Sequence, residues 1–194
     1  MVNWQAVKVA LPLDKRAWHP SVLPGQIVLV STVDAEGRPN VAPKSWVTMV
    51  AFAGPIVAFG CNLSHATYRN VVATNEFVLN VLPESLAESA WSLSDLHGEQ
   101  RLRECGLTTV PAQKVRAPLV DECPAHFECL FDDVKHYGDE VLIFGRVVAA
   151  SMDDECIEAP LAEQYERLAP TFFLEAGTYA GLGPPRRIDA DGPG

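Results

Sequence analysis

Hydroxyl, amide and imidazole side chains are spread unevenly along this chain of 194 residues. They crowd into Lys44-Ser45-Trp46-Val47-Thr48 and again into Cys61-Asn62-Leu63-Ser64-His65-Ala66-Thr67-Tyr68-Arg69-Asn70. The second segment reads as a strand end running into a helix start, with Ser64 as N-cap. Backbone N–H groups at a helix start point outward, and the helix dipole favours negative charge there. Ser64, His65, Thr67, Arg69 and Asn70 surround that start with donors of the kind a phosphate ester needs. In the first segment the two-residue period of a strand puts Lys44, Trp46 and Thr48 on one face and Ser45 on the other. Together the two segments point to a phosphate-bearing aromatic ligand held between two strands and a helix start. The plainer assignment is a capped helix with surface Thr67 and Asn70, and Trp46 in a core. Local composition leaves both open.

Other chemistries find less support. The five cysteines, Cys61, Cys105, Cys123, Cys129 and Cys156, are odd in number, irregularly spaced and without a Cys-x-x-Cys pair. That pattern is not a secreted disulfide framework. Cys123, His126 and Cys129 are either one strand face or metal ligands; the spacing favours the strand face, and no metal is expected. Cys61 is expected as a small buried hydrophobe, and His126 and His136 as satisfied strand histidines. Asp132-Asp133 and Asp153-Asp154-Glu155 read as solvated turn charges. No Gly-x-Gly-x-x-Gly follows a strand, and there is no phosphate-binding Gly-x-x-x-x-Gly-Lys-Ser/Thr loop.

Fifteen basic against 25 acidic side chains give a net charge of −10. That argues against a nucleic-acid face and against an anionic membrane surface. It does not exclude one pocket for a small anion. No run approaches the roughly 20 apolar residues of a membrane span, and the N-terminus lacks the features of a signal peptide. The chain reads as a soluble cytoplasmic protein.

The elements that must position these residues follow from patterning. Ile27–Val33 is a β-branched strand entering a turn at Asp34-Ala35-Glu36-Gly37. A return strand spans Pro39–Phe52, and Ile56–Cys61 adds a third to make a meander. His65–Thr74 is a helix with Tyr68, Val71 and Val72 as its apolar face, and Glu76–Leu82 is a strand. Glu84–Leu93 and His97–Cys105 are helix-like, Ala125–Lys135 and Glu140–Ala150 are strands, and Pro160–Leu168 is a short helix. Residues 183–194 read as a mobile tail. The whole, 1–194, is one domain with its barrel at about 20–152. Many strands and few helices, without βαβ alternation, favour a small antiparallel barrel.

The order of pieces carries more than any one of them. The run Gln26–Pro43, then Lys44–Phe52, Ile56–Cys61, Thr67-Tyr68-Arg69-Asn70 and Glu76–Val81 is followed by Phe127-Glu128-Cys129, Gly138-Asp139 and Phe144-Gly145-Arg146-Val147. This series resembles the flavin reductase-like family of FMN-binding split β-barrel proteins. It covers about Val22 to Met152, with a looser match at Thr178–Gly183.

The resemblance implies a mainly β (α+β) fold, a split antiparallel β-barrel with peripheral helices. It also implies a homodimer that binds FMN, or FAD, near its subunit interface. By motif position, Lys44, Ser45 and Thr48 would serve the phosphate or ribityl chain, with Trp46 lining the pocket. Cys61 and Asn62 would lie beside the ring or ribityl chain, and Ser64, His65, Thr67 and Asn70 would hold the phosphate. The activity implied is reduction of flavin or a small acceptor by NADH or NADPH, with hydride passing to flavin N5 and no protein acid or base required; no catalytic residue is assigned. Two positions depart from the pattern. His65-Ala66 stands where many relatives carry a basic residue and Asp, and Glu140 where several carry a nicotinamide-side histidine. A second function is therefore kept: a non-catalytic FMN electron carrier of flavoredoxin type, serving a redox partner protein. A barrel that stores or senses a ligand is the third.

Overall fold

A computed structural model describes residues 23–93, 102 and 104–186. The chain runs β1 (Gly25–Gln26), β2 (Val28–Val33), β3 (Pro39–Lys44), β4 (Val47–Ala51), β5 (Ile56–Asn62), α1 (Ala66–Thr74) and β6 (Glu76–Val81). A 3₁₀ turn, Glu84–Leu86, leads into α2 (Ala87–Ser92), followed by β7 (Thr109–Val110) and β8 (Leu119–Val120). Two long strands, β9 (Ala125–Tyr137) and β10 (Glu140–Met152), precede α3 (Asp154–Glu158), α4 (Leu161–Leu168), β11 (Phe172–Glu175) and β12 (Thr178–Ala180).

Local chemistry explains the first hairpin. Asp34 Oδ1 accepts the backbone N–H of Glu36 at 3.0 Å and of Arg38 at 2.9 Å. Gly37 takes the positive φ of 82° that closes the turn. The larger architecture follows from order and register. Seven antiparallel strands form one sheet in the order β3-β2-β6-β9-β10-β5-β4. In a flat sheet of that order, six spacings of about 4.8 Å would put the two edges about 29 Å apart. Yet only Ser45 and Trp46 join β3 to β4, and three Cα steps reach at most about 11 Å. The sheet must therefore curl until its edges meet at this corner. That is a split antiparallel barrel, mainly β, with its helices outside.

This topology corrects two expectations. Pro39–Phe52 is two strands, because the chain leaves one sheet edge at Lys44 and joins the other at Val47. The β2–β3 and β4–β5 hairpins are accordingly at opposite edges, not consecutive members of a meander. The Glu84–Leu93 segment divides into the 3₁₀ turn and α2. Three features escaped the sequence reading: α3, the two-stranded sheet of β7 and β8, and a small sheet in the order β1-β11-β12. The expected helix His97–Cys105 lies mostly outside the described residues, as do positions 187–194 of the tail. Among the described residues, no helix is long and apolar enough to cross a membrane.

The barrel interior is filled by Val28, Val30, Phe59, Phe77, Leu79 and Ile143 with their neighbours. Phe59 and Phe77 meet edge to face, their ring centroids 5.1 Å apart. A second core on the outer side of β2 and β6 joins Leu29, Leu82, Leu93 and Val120. Strands β2 and β6 are thus covered on both faces, which is why every residue of both is buried rather than every second one. Polar groups pin the long connection that forms this cover. Glu128 accepts the N–H groups of Gln113 (3.0 Å) and Lys114 (2.6 Å). Arg116 Nε pairs with Glu76 at 2.8 Å.

Candidate functional site

At the corner where the barrel edges meet, β3 ends, β5 ends and α1 begins. Lys44 Nζ lies 3.3 Å from His65 Nδ1, and Cys61 Sγ lies 3.8 Å from the same nitrogen. The ammonium can only donate, so His65 Nδ1 accepts from Lys44, while the Cys61 thiol donates to Asn62 O at 3.7 Å. Burial pushes the Cys61 thiol up, with the Lys44 charge acting against it and Glu140 adding to the rise. Its surroundings therefore work against thiolate character.

The loop before α1 is tied down by its own side chains. Asn62 Oδ1 accepts Ser64 N–H at 3.0 Å and Ser64 Oγ–H at 2.7 Å. Asn62 Nδ2 donates to Glu140 Oε1 at 3.3 Å, and Arg69 donates to Ser64 O. The N-cap position belongs to His65 (φ −75°, ψ 143°), not to Ser64 as expected, and it makes no side-chain cap hydrogen bond. The first turn of α1 contains no acidic residue. Lys44 is thus a cation beside the positive end of a helix dipole, an arrangement that favours an anionic ligand.

Lys44 also lines a cavity of about 600 Å³ together with Ser45, Trp91, Phe173 and Tyr179. Trp91 and Phe173 are stacked, with centroids 6.1 Å apart and planes 17° from parallel. The stacked pair gives this slot a flat aromatic wall beside the electropositive corner. Strand β1 supports it from below: a Cβ on Gly25 would come within 1.5 Å of the Ser45 carbonyl oxygen.

The ten residues singled out in the sequence separate into four groups. Lys44, Cys61, Asn62, Ser64 and His65 come together at the corner. Ser45 lies in the aromatic slot. The expected common face of Lys44, Trp46 and Thr48 fails because the strand breaks between β3 and β4. Trp46 instead covers Gly60, where an added Cβ would meet its ring at 2.8 Å. Thr48 is exposed and its hydroxyl donates to Met49 O at 3.1 Å. Thr67 and Asn70 form the fourth group. They are buried with Val71 on the inward face of α1, while Val72, expected inside, is exposed. Asn70 Nδ2 donates to Thr32 Oγ1 at 3.0 Å.

Trp91, Phe173 and Tyr179 were missed by sequence reasoning. Only the loose match around Thr178–Gly183 pointed near one of them. As for the Cys123–His126–Cys129 series, Cys129 is in the barrel core and His126 Nδ1 meets Asn80 Oδ1 at 2.9 Å.

Residues 21–170 match the family model of the flavin reductase like domain. The chain belongs to the flavin reductase-like family. Solved structures share its fold over nearly all of its length. Nitrilotriacetate monooxygenase component B from Bacillus cereus is 21% identical and covers 94% of this chain and 100% of its own, with a TM-score of 0.82. Flavoredoxin of Desulfovibrio vulgaris (Miyazaki F) is 20% identical over 94% of this chain and 98% of its own, with a TM-score of 0.78. An FMN-binding protein from Thermus thermophilus, with bound p-hydroxybenzaldehyde, is 16% identical over 94% and 99%, with a TM-score of 0.77. In this flavin reductase-like chain the electropositive corner and the aromatic slot share Lys44.

Proposed function

We propose that this chain is an FMN-binding oxidoreductase that takes electrons from NADH or NADPH and delivers them to flavin or a small acceptor. The observation that carries the reading is the union of two features at Lys44: a cation beside an acid-free helix start, and a slot walled by Trp91, Phe173 and Tyr179. Such a donor set suits a phosphate joined to a flat ring system. Lys44, Ser64 and His65 would hold the phosphate, and Ser45, Trp91 and Tyr179 would border the ring. Trp46, Thr48, Cys61 and Asn62 flank the corner, whereas Thr67 and Asn70 support α1 from within. FAD fits the same corner less simply, because a second phosphate would need further donors.

When bound, the flavin supplies the redox chemistry, accepting and releasing hydride equivalents. The chain's own residues bind, orient and exclude water. Lys44 offsets phosphate charge, and His65 Nδ1 fixes the ammonium by accepting from it. The Trp91–Phe173 stack keeps one face of the slot dry. Glu140, bonded to Asn62, sets a carboxylate at the rim. That negative charge favours the second reading, an electron carrier that exchanges with a redox partner protein and does not turn over a nicotinamide dinucleotide. A homodimer is supported by the β4 edge, where Phe52 is 91% exposed and Trp46 48%, with Met49 and Val50 also outward. An apolar edge of this kind is normally covered in a soluble protein.

Purified protein mixed with FMN is expected to show a shifted visible flavin band and quenched flavin fluorescence. Anaerobic NADH or NADPH should then bleach that band if the chain is a reductase. A flavin band that persists under both nucleotides would favour the carrier, and no flavin binding at all would refute both.

A further inference from the structure

Helix α4 is tied to α3 by Gln164 Nε2, which donates to Ile157 O at 3.1 Å and to Ala159 O at 2.9 Å. Yet none of its eight residues is buried. Eight residues are too few to hold a helix in water by propensity alone. Across α3 and α4 the large apolar residues come four apart and face outward: Ile157 is 57% exposed, Leu161 70% and Tyr165 44%. Carboxylates surround them. Between 153 and 168 stand Asp153, Asp154, Glu155, Glu158, Glu163 and Glu166, against the single cation Arg167. That guanidinium is engaged within the helices, donating to Glu155 O at 2.7 Å and pairing with Glu163 at 3.7 Å. An apolar strip edged with acid fits a segment of the opposite pattern, apolar and basic.

The chain itself contains such a segment. Residues 1–22 carry Lys8, Lys15 and Arg16 against Asp14, with Trp4, Val7, Val9, Leu11, Leu13 and Trp18 among them. They join the described residues at Leu23, close in the fold to the end of α4. Gly25 pairs with Phe173 of β11, Ile27 N–H donates to Thr171 O at 2.7 Å, and only residues 169–171 separate α4 from β11. A segment of that length spans up to about 73 Å, and α4 is about 12 Å long, so reach is no constraint. The β4 edge is the other large apolar area, but it has no acidic residue between Lys44 and Gly54 to meet a basic segment.

We propose that residues 1–22 dock on the α3–α4 face of their own chain. Their apolar side chains cover Ile157, Leu161 and Tyr165, and Lys8, Lys15 and Arg16 meet the carboxylates. Attachment makes the encounter intramolecular, so a contact too weak to hold a free peptide suffices. None of these residues belongs to the flavin corner or the slot, and the proposal stands independently of the proposed function.

The test is carbodiimide coupling of lysines to carboxylates in the full-length protein. It is read by mass spectrometry on an equal mixture of ¹⁴N- and ¹⁵N-labelled chains left to exchange. Lys8 and Lys15 are expected to couple mainly to carboxylates between Asp153 and Glu166, in peptide pairs that are all light or all heavy. Leu161→Asp combined with Tyr165→Ser should cut that yield at least fivefold. Both side chains are exposed, so the unfolding midpoint should stay within a few degrees of the parent. Lys15→Glu combined with Arg16→Glu should cut the Lys8 yield at least fivefold through charge alone. The proposal is overturned if the two lysines couple mainly to other carboxylates, if the variants give the parent's yield, or if the links are no more frequent than in urea. Pairs of one light and one heavy peptide would assign the face to a second copy of the chain, which overturns it as well.

Discussion

Asn40 and Asn80 are two buried amides on strands of the same sheet, and their surroundings differ completely. Asn80 uses its whole side chain. Its Nδ2 donates to Leu29 O at 2.8 Å and Ser31 Oγ at 3.1 Å, while its Oδ1 faces Val120 N at 2.9 Å and His126 Nδ1 at 2.9 Å. Asn40 leaves its Nδ2 without a partner and borders an open cleft. The difference is one of matching. Where β6 meets the connection carrying β7 and β8, buried polar groups are matched and hold the barrel wall. A matched network rigidifies its surroundings, whereas a buried donor without a partner adds nothing to that network and carries a desolvation cost.

The sharpest way to break this contrast is to remove Asn80. Asn80→Ala would strand the Val120 N–H and the His126 Nδ1–H in a dry interior. Each unsatisfied buried group costs about 1–3 kcal/mol, so the loss should be about 3 kcal/mol or more, measured by urea unfolding. A loss below about 1 kcal/mol would mean that the network does not hold the wall.

Glu128→Gln comes next. The carboxylate receives two backbone N–H groups, and an amide sets its own NH₂ against one of them. About 2 kcal/mol should be lost, in the range for hydrogen bonds to a charged group. Equal stability of the two proteins would show that the 111–118 connection does not depend on it.

The third test is acid. Burial pulls the His126 pKa below its ordinary 6.5, with Asp153, Asp121 and Glu128 pushing the other way. A histidine lowered in the folded state contributes stability that is present above the unfolded pKa. That stability is lost as pH falls through 6.5 toward the folded value. His126 should add at most about 1.4 kcal/mol of destabilisation per pH unit in that window. His126→Gln should flatten the slope there, and an unchanged slope would place the titration elsewhere.

Asn40 should give the smallest effect. Asn40→Leu removes a donor that has no partner, so unfolding free energy should stay within about 0.5 kcal/mol or rise. A loss as large as that of Asn80→Ala would erase the distinction between the two amides.

How much of this was readable in advance depended on range along the chain. The β2–β3 turn was legible, because Asp34 binds N–H groups two and four residues away and Gly37 supplies the positive φ. The corner of Lys44, Cys61, Ser64 and His65 was legible as two donor-rich segments, since a strand end and a helix start each advertise themselves locally. The break at Ser45-Trp46 was not. It arises from the need to close a seven-stranded sheet, a constraint no local window contains. The inward turn of Asn70 depends on Thr32, 38 residues away. The aromatic slot joins α2 to β11 and β12 through Trp91, Phe173 and Tyr179, which pattern reading had no reason to connect. The cap fell one residue later than expected, on His65, because composition marks a helix start only to within a residue or two.

The account rests most on Lys44, where the electropositive corner and the slot meet. Titration of FMN by fluorescence quenching, into the parent and into Lys44→Met, addresses it directly. The parent should bind FMN in a one-to-one ratio. The variant should bind about tenfold to a hundredfold more weakly, the worth of one charge-assisted contact, with its unfolding midpoint unchanged. Equal affinity in the two proteins would contradict the assignment of this corner to the phosphate.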